Sequence, residues 1–181
     1  METLARREGN IDFLAEIKKS DLTRPVCFLE IAQLYQEAGR DDEALVWAER
    51  GVRAFEKDPD MRLVDFLADA YHRKGAHEKA LNLVWMSFTL NPGLARYQSL
   101  KSHARRSRSW AVWRDKAIAL IREHLELKKV SRDRRKGPMR LYTRIDHSLL
   151  VQIYLEENDV DSAWNEARKG GCSESLWMQL A

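Results

Sequence analysis

Apolar residues recur along most of this chain at the three- and four-residue spacing of one helix face, and nowhere at the alternating spacing of a strand. The clearest stretch runs from Arg62 to Pro92. Val64, Leu67, Ala68 and Tyr71 fall at i, i+3, i+4 and i+7, which predicts one helix with a core face. Gly75 stands where that helix must stop, because glycine takes the left-handed conformation without a Cβ penalty. A second helix follows, with Ala80, Leu81, Val84 and Phe88 as its stripe, and the small Ala80 lets the two axes approach closely. Asn91-Pro92 is expected to start the next helix, asparagine as N-cap and proline at the first helical position.

The same signature stands thirty-six residues earlier, with Ala32 for Ala68, Tyr35 for Tyr71, Gly39 for Gly75 and Ala44 for Ala80. A weaker copy lies at Ile153-Tyr154, Asn158, Ala163 and Ala167, where asparagine replaces the turn glycine and tolerates the same conformation. A small residue, an aromatic, a glycine, an alanine and a closing proline in this order resemble the tetratricopeptide repeat. That resemblance implies an all-α, right-handed α-solenoid of tetratricopeptide-like helix pairs, with about ten helices expected over residues 1–181 as a single domain.

Around the central pair, Glu2 to Arg7 and Ile11 to Lys18 read as a short helix pair broken at Gly9-Asn10. Pro25 starts a helix through Glu37, and Asp41 caps the next, which runs to about Phe55. After Pro92 comes a helix with Leu94, Tyr97 and Leu100, and then one with Trp110, Trp113, Ala117, Leu120 and Ile121 on one face. This fourth pair has lost the turn glycine. Between Leu127 and Met139 the periodicity collapses into KKVSRDRRKGP, which predicts a basic mobile loop at 128–139 or a fraying helix end. A helix resumes near Leu141 and carries Leu149, Leu150, Ile153 and Tyr154; its partner runs from Val160 to Arg168. Ser173 caps a last stub with Leu176, Trp177 and Leu180, whose apolar face has no following helix to cover it. Either the chain is a piece of a larger protein, or the stub folds back as a cap.

Charge changes the picture more than composition does. Met1 to Gly93 holds 13 Lys/Arg against 17 Asp/Glu, Leu94 to Arg144 holds 16 against 4, and Ile145 to Ala181 holds 2 against 7. The basic middle between acidic flanks suggests either a solvated face or a surface for an acidic partner. Cys27 and Cys172 are the two cysteines, far apart, so reduced thiols are expected. No apolar run approaches the roughly 18 residues of a membrane span, and a cytoplasmic protein is the expectation.

A more specific resemblance covers nearly the whole chain. The phrases EIAQLYQEAGRDDEALVWAERGV, FLADAYHRKGAHEKAL, WAVWRDKAI, DHSLLVQIYLEENDVDSAW and GGCSESLWMQLA, in this order, resemble the helical region that follows the zinc finger in bacterial SWIM zinc-finger proteins. The finger's own ligand set is missing, since two cysteines do not supply it. The resemblance therefore implies a companion helical module without its zinc.

Candidate chemistry is sparse. His72 and His77 flank Gly75 and do not share a helix face as a zinc pair does. Asp146-His147-Ser148 has the residue types of a hydrolase triad, but neighbours on one helix diverge, so a cap and surface role is expected. Cys172 follows Gly170-Gly171 with no histidine near it in sequence, which favours a structural thiol. Trp85, Trp110, Trp113 and Trp164 are assigned to the core by their apolar neighbours; Trp47 and Trp177 are left open. No catalytic residues, metal ligands or cofactor are expected, and the chain reads as a non-enzyme.

The tetratricopeptide resemblance implies a peptide-binding groove lined by first helices of successive pairs. Its positions here are Leu29, Gln33, Gln36 and Glu37 in one repeat and Arg62, Asp65, Asp69, His72 and Arg73 in the next. The cations of the two-carboxylate clamp subtype are absent from Leu29, Gln33, Asp65 and Asp69, so a basic or mixed peptide is the expected partner. The alternative is a nucleic-acid-associated role for block 94–144, with Lys128, Lys129, Arg132, Arg134, Arg135 and Lys136 as candidate contacts. No ring stands among those residues before Tyr142, so only weak binding is expected.

Overall fold

The computed structural model describes residues 11–133 and 145–181, with side chains described for 11–128 and 145–181. Ten helices and no strand are present among the described residues. Contacts divide the chain after Leu90 into two compact units. The first holds α1 (Ile11–Lys19), α2 (Pro25–Glu37), α3 (Asp41–Ala54), α4 (Met61–Arg73) and α5 (His77–Leu90). The second holds α6 (Leu94–Arg106), α7 (Trp110–Asp133), α8 (His147–Glu156), α9 (Val160–Gly170) and α10 (Glu174–Leu180).

Within the first unit α2 packs on α3 and α4 on α5 as hairpins, while α3 packs on α4 and α2 also touches α4. Within the second, α6 with α7 and α8 with α9 form pairs, and α6 touches α8. First helix on first helix, with the intervening second helix wedged behind, is the stacking of an α-solenoid. The predicted stripes are the core: Val64, Leu67, Ala68, Ala80, Leu81, Val84 and Phe88 are all buried, as are Ala32, Ala44, Ala163 and Ala167. Gly51, inside α3, shows how closely the elements meet. A Cβ there would lie 2.5 Å from Phe28 Cβ on α2 and 2.7 Å from Leu63 Cδ2 on α4.

The turns inside the four pairs share one geometry. Gly39 (φ 75°), Gly75 (φ 74°), Arg108 (φ 54°) and Asn158 (φ 59°) are all left-handed. Each donates its N–H to the carbonyl three residues back: Gln36, His72, Arg105 and Leu155, at 2.9, 3.0, 3.1 and 3.0 Å. The next N–H reaches five residues back, onto Tyr35, Tyr71, Ala104 and Tyr154, at 2.8, 2.9, 3.0 and 2.9 Å. Two helix-end carbonyls are satisfied in each turn, in the manner of a Schellman cap. The α6–α7 pair keeps this turn without a glycine, with Arg108 carrying the left-handed backbone.

The in-phase tyrosines have a second task. Tyr35 on α2 donates to Asp12 of α1 at 3.5 Å, and Tyr71 on α4 to Glu49 of α3 at 2.7 Å. Tyr154 on α8 accepts from Arg122 of α7 at 3.1 Å. Each ring packs in its own pair while its hydroxyl ties that pair to the helix before it.

Several expectations are corrected. Helix α6 begins at Leu94 with Gly93 at the N-cap, so Asn91 and Pro92 precede it. Asp41 is the first residue of α3 and Arg40 occupies the N-cap without a side-chain bond. The helix expected to end near Leu127 continues as α7 to Asp133; the remainder of the expected loop, 134–139, lies outside the described residues, as do Glu2 to Arg7, Gly9-Asn10 and Leu141. Trp164 is 40% exposed, because the buried stripe of α9 runs through Ala163, Glu166 and Ala167 and turns its neighbour outward beside exposed Val160. It rests edge-on against Trp177, centroids 5.6 Å apart. Trp47, left open from sequence, is buried, with Arg50 over its ring at 4.2 Å.

Candidate functional site

The proposed groove positions all fall on α2 and α4, which touch each other. Thirty-six residues separate Gln33 from Asp69 and Glu37 from Arg73, so each pair holds the same position in successive repeats. Gln33, Glu37, Arg62 and Arg73 are exposed, and Gln36, Asp65 and Asp69 are half-buried. Two expected members depart. Leu29 is buried in the core of the first unit. His72 is also buried, and its Nδ1 meets Nδ1 of His77 at 2.7 Å across the turn, one nitrogen donating and the other accepting. The pair that sequence spacing kept apart is closed by Gly75, whose left-handed turn folds α5 back onto the end of α4.

The polar face is organised locally by charge. Asp60 caps α4 by accepting from Arg62 N–H at 2.8 Å, and its carboxylate takes the Arg62 guanidinium at 3.0 Å. That guanidinium holds the Asp60 carboxyl below the ordinary carboxylate range. Lys74, just past α4, pairs with Asp42 of α3, whose carboxyl is likewise lowered. Beside α2 a depression of about 200 Å³ is lined by Lys18, Glu30, Gln33, Leu34 and Glu37. Lys18 spans it to Glu30 at 2.5 Å.

The second unit carries a different polar network, unsuspected from sequence. Glu157, the residue after α8, accepts from Tyr97 of α6 at 2.8 Å and from Arg114 of α7 at 2.9 Å. Burial, then the Glu157 bond, pushes the Tyr97 phenol far above its ordinary value. Gln98 and Lys101 of α6 reach Glu156 at 3.1 and 3.7 Å. Adjacent carboxylates thus clamp three helices together. Paired acids following a tyrosine were the available signal, but partners 43 to 60 residues away have no local signature.

Of the candidate nucleic-acid contacts, Lys128 is half-buried and donates to the Ile145 carbonyl at 3.0 Å. Lys129 and Arg132 stand on α7, with their side chains outside the described residues. Arg134, Arg135, Lys136 and Tyr142 lie outside the described residues altogether. Among the described residues no group of three or more His, Cys, Asp or Glu side chains is placed to hold a metal ion. No described helix is long and apolar enough to cross a membrane.

No protein-family model and no curated protein matches the chain. Solved structures do. The crystal structure of MamA is similar at a TM-score of 0.46 and 17% identity, over 93% of this chain and 91% of that one. TTC0263, a thermophilic TPR protein of Thermus thermophilus, is similar at 0.43 and 16%, over 99% and 93%. A tetratricopeptide repeat protein from Parabacteroides merdae is similar at 0.42 and 14%, over 99% and 79%.

Proposed function

We propose that this chain is a non-catalytic interaction scaffold that binds a partner peptide along the face shared by α2 and α4. The observation that carries the reading is the polar ladder on these touching helices. Gln33 and Glu37 stand one turn apart on α2, and Asp65, Asp69 and Arg73 repeat at one-turn spacing on α4, while the opposite faces of both helices are committed to the core. Side chains at this spacing on neighbouring helices suit an extended or helical segment laid across them. The acids favour a basic or mixed peptide. The resemblance to the helical region of SWIM zinc-finger proteins implies a companion helical module without its zinc.

The test is selection of peptides from a random display library on the immobilised chain, followed by affinity measurement on a triple charge reversal, Asp65→Lys, Asp69→Lys and Arg73→Glu. These positions lie off the buried stripe, and circular dichroism checks that the variant is folded. Selected peptides should be enriched in Lys and Arg and should lose at least about tenfold in affinity, the equivalent of about 1.4 kcal/mol. Equal binding to a folded variant overturns the assignment of this face.

A further inference from the structure

Two short motifs that the proposed function does not use, Asp146-His147-Ser148 and Gly170-Gly171-Cys172, come together in the second unit. They line one cleft of about 600 Å³ where α7, the start of α8 and the link from α9 to α10 meet. Ligand pockets commonly span roughly 300–1,000 Å³.

One wall of the cleft is built around His147. Its Nδ1 lies 2.5 Å from Oε1 of Glu166, a carboxylate that is only 8% exposed. Its ring lies against Gly170, where an added Cβ would be 2.0 Å from Cδ2. Burying a carboxylate is costly unless it is paired, and here the burial fixes one imidazole from two sides. Glycine at 170 is the room in which that ring sits.

Two lysines line the cleft. Lys128 is half-buried and gives one N–H to the Ile145 carbonyl, with no carboxylate partner among the described residues. Lys169 likewise has none among them. Asp146 is the opposing charge: its Oδ1 accepts from Ser148 N–H at 2.9 Å and its second oxygen has no described donor. The Ser148 hydroxyl accepts from Ser173 N–H at 3.2 Å and keeps its own proton to donate. Burial and nearby Asp146 raise the Cys172 thiol, so it lines the cleft as a neutral group.

Lys128 and Lys169 bring two ammonium groups to the cleft and Asp146 brings one carboxylate, the polar set that a carboxylate beside a hydrogen-bond donor would meet. We propose that this cleft binds a carboxylate with an adjacent hydrogen-bond donor, Lys128 and Lys169 taking the carboxylate and Asp146 the donor. That chemistry occurs at the C-terminal end of a polypeptide and in a free amino acid. The inference is independent of the α2 and α4 face.

The test is a titration of the isotopically labelled full chain followed by amide NMR shifts at Ser148, Gly171 and Cys172. The probes are a pool of random N-acetylated pentapeptides with free carboxylates, the same pool amidated, and glycine. The free-acid pool or glycine should give saturable shifts, and the amidated pool should bind at least about tenfold more weakly, as loss of a charged hydrogen-bond acceptor requires. Saturation by the peptides alone identifies a polypeptide end as the ligand, and equal saturation by glycine identifies a free amino acid. Lys169→Gln, at an exposed position that leaves the fold intact, should weaken binding at least about fivefold. No saturable shift up to about 10 mM, equal binding of acid and amide, or no effect of Lys169→Gln overturns the proposal.

Discussion

The common turn geometry makes opposite predictions for glycine at two of its four positions. Arg108 holds φ at 54° and Gly75 at 74°, both in the left-handed region. An L-residue pays roughly 1–2 kcal/mol there, whereas glycine pays only its greater freedom in the unfolded chain, about 0.4–1 kcal/mol. Around Gly75 an added Cβ meets nothing within 4 Å, so Gly75→Ala carries the backbone penalty alone and should destabilise by about 1 kcal/mol. Arg108→Gly should stabilise by about 0.5–1 kcal/mol, because Arg108 is exposed and its turn bonds are made by backbone groups. In a unit of this size that corresponds to a melting shift of about 4–8 °C per kcal/mol. Arg108→Ala serves as the control, since it removes the charge and keeps the backbone penalty, and it should leave stability near that of the parent. The assay is urea and thermal unfolding followed by circular dichroism. If Arg108→Gly is neutral or destabilising, or if Arg108→Ala stabilises as much, the backbone account of the turn is refuted.

Two further outcomes follow from packing and protonation. Gly51→Ala, a substitution that stabilises an exposed helix by about 1 kcal/mol, should here cost about 1–2 kcal/mol net through overlap with Phe28 and Leu63; an unchanged or higher urea midpoint contradicts the close approach of α2 and α4 to α3. Burial, then the bond to Glu49, pushes the Tyr71 phenol up from its ordinary 10.0 to about 12. The unfolded chain therefore releases this proton first, so the contribution is complete below pH 10 and is lost as pH rises through about 12. Tyr71→Phe should flatten the alkaline fall of the denaturation midpoint, and a slope identical to the parent's refutes the linkage.

The helices, their core faces and the in-phase pairs around Gly39 and Gly75 were legible in the sequence. Hydrophobic burial is non-directional, so a helix need only place apolar residues at its own period, and that period is written locally. The weaker copy at Asn158 was readable for the same reason, since asparagine tolerates the turn. Arg108 was not: no residue type announces a left-handed arginine, and only the demand of the helix-end carbonyls at Ala104 and Arg105 imposes it. Tertiary structure alone drew His72 inward onto His77, turned Trp164 out, and tied Glu157 to Tyr97 and Arg114. It also carried Glu166 to His147 and set that imidazole against Gly170, in a cleft that Cys172 also lines. Hydrogen bonds and ion pairs are short and directional, so each is decided by where two distant helices come to rest, which a stripe of apolar residues leaves unspecified.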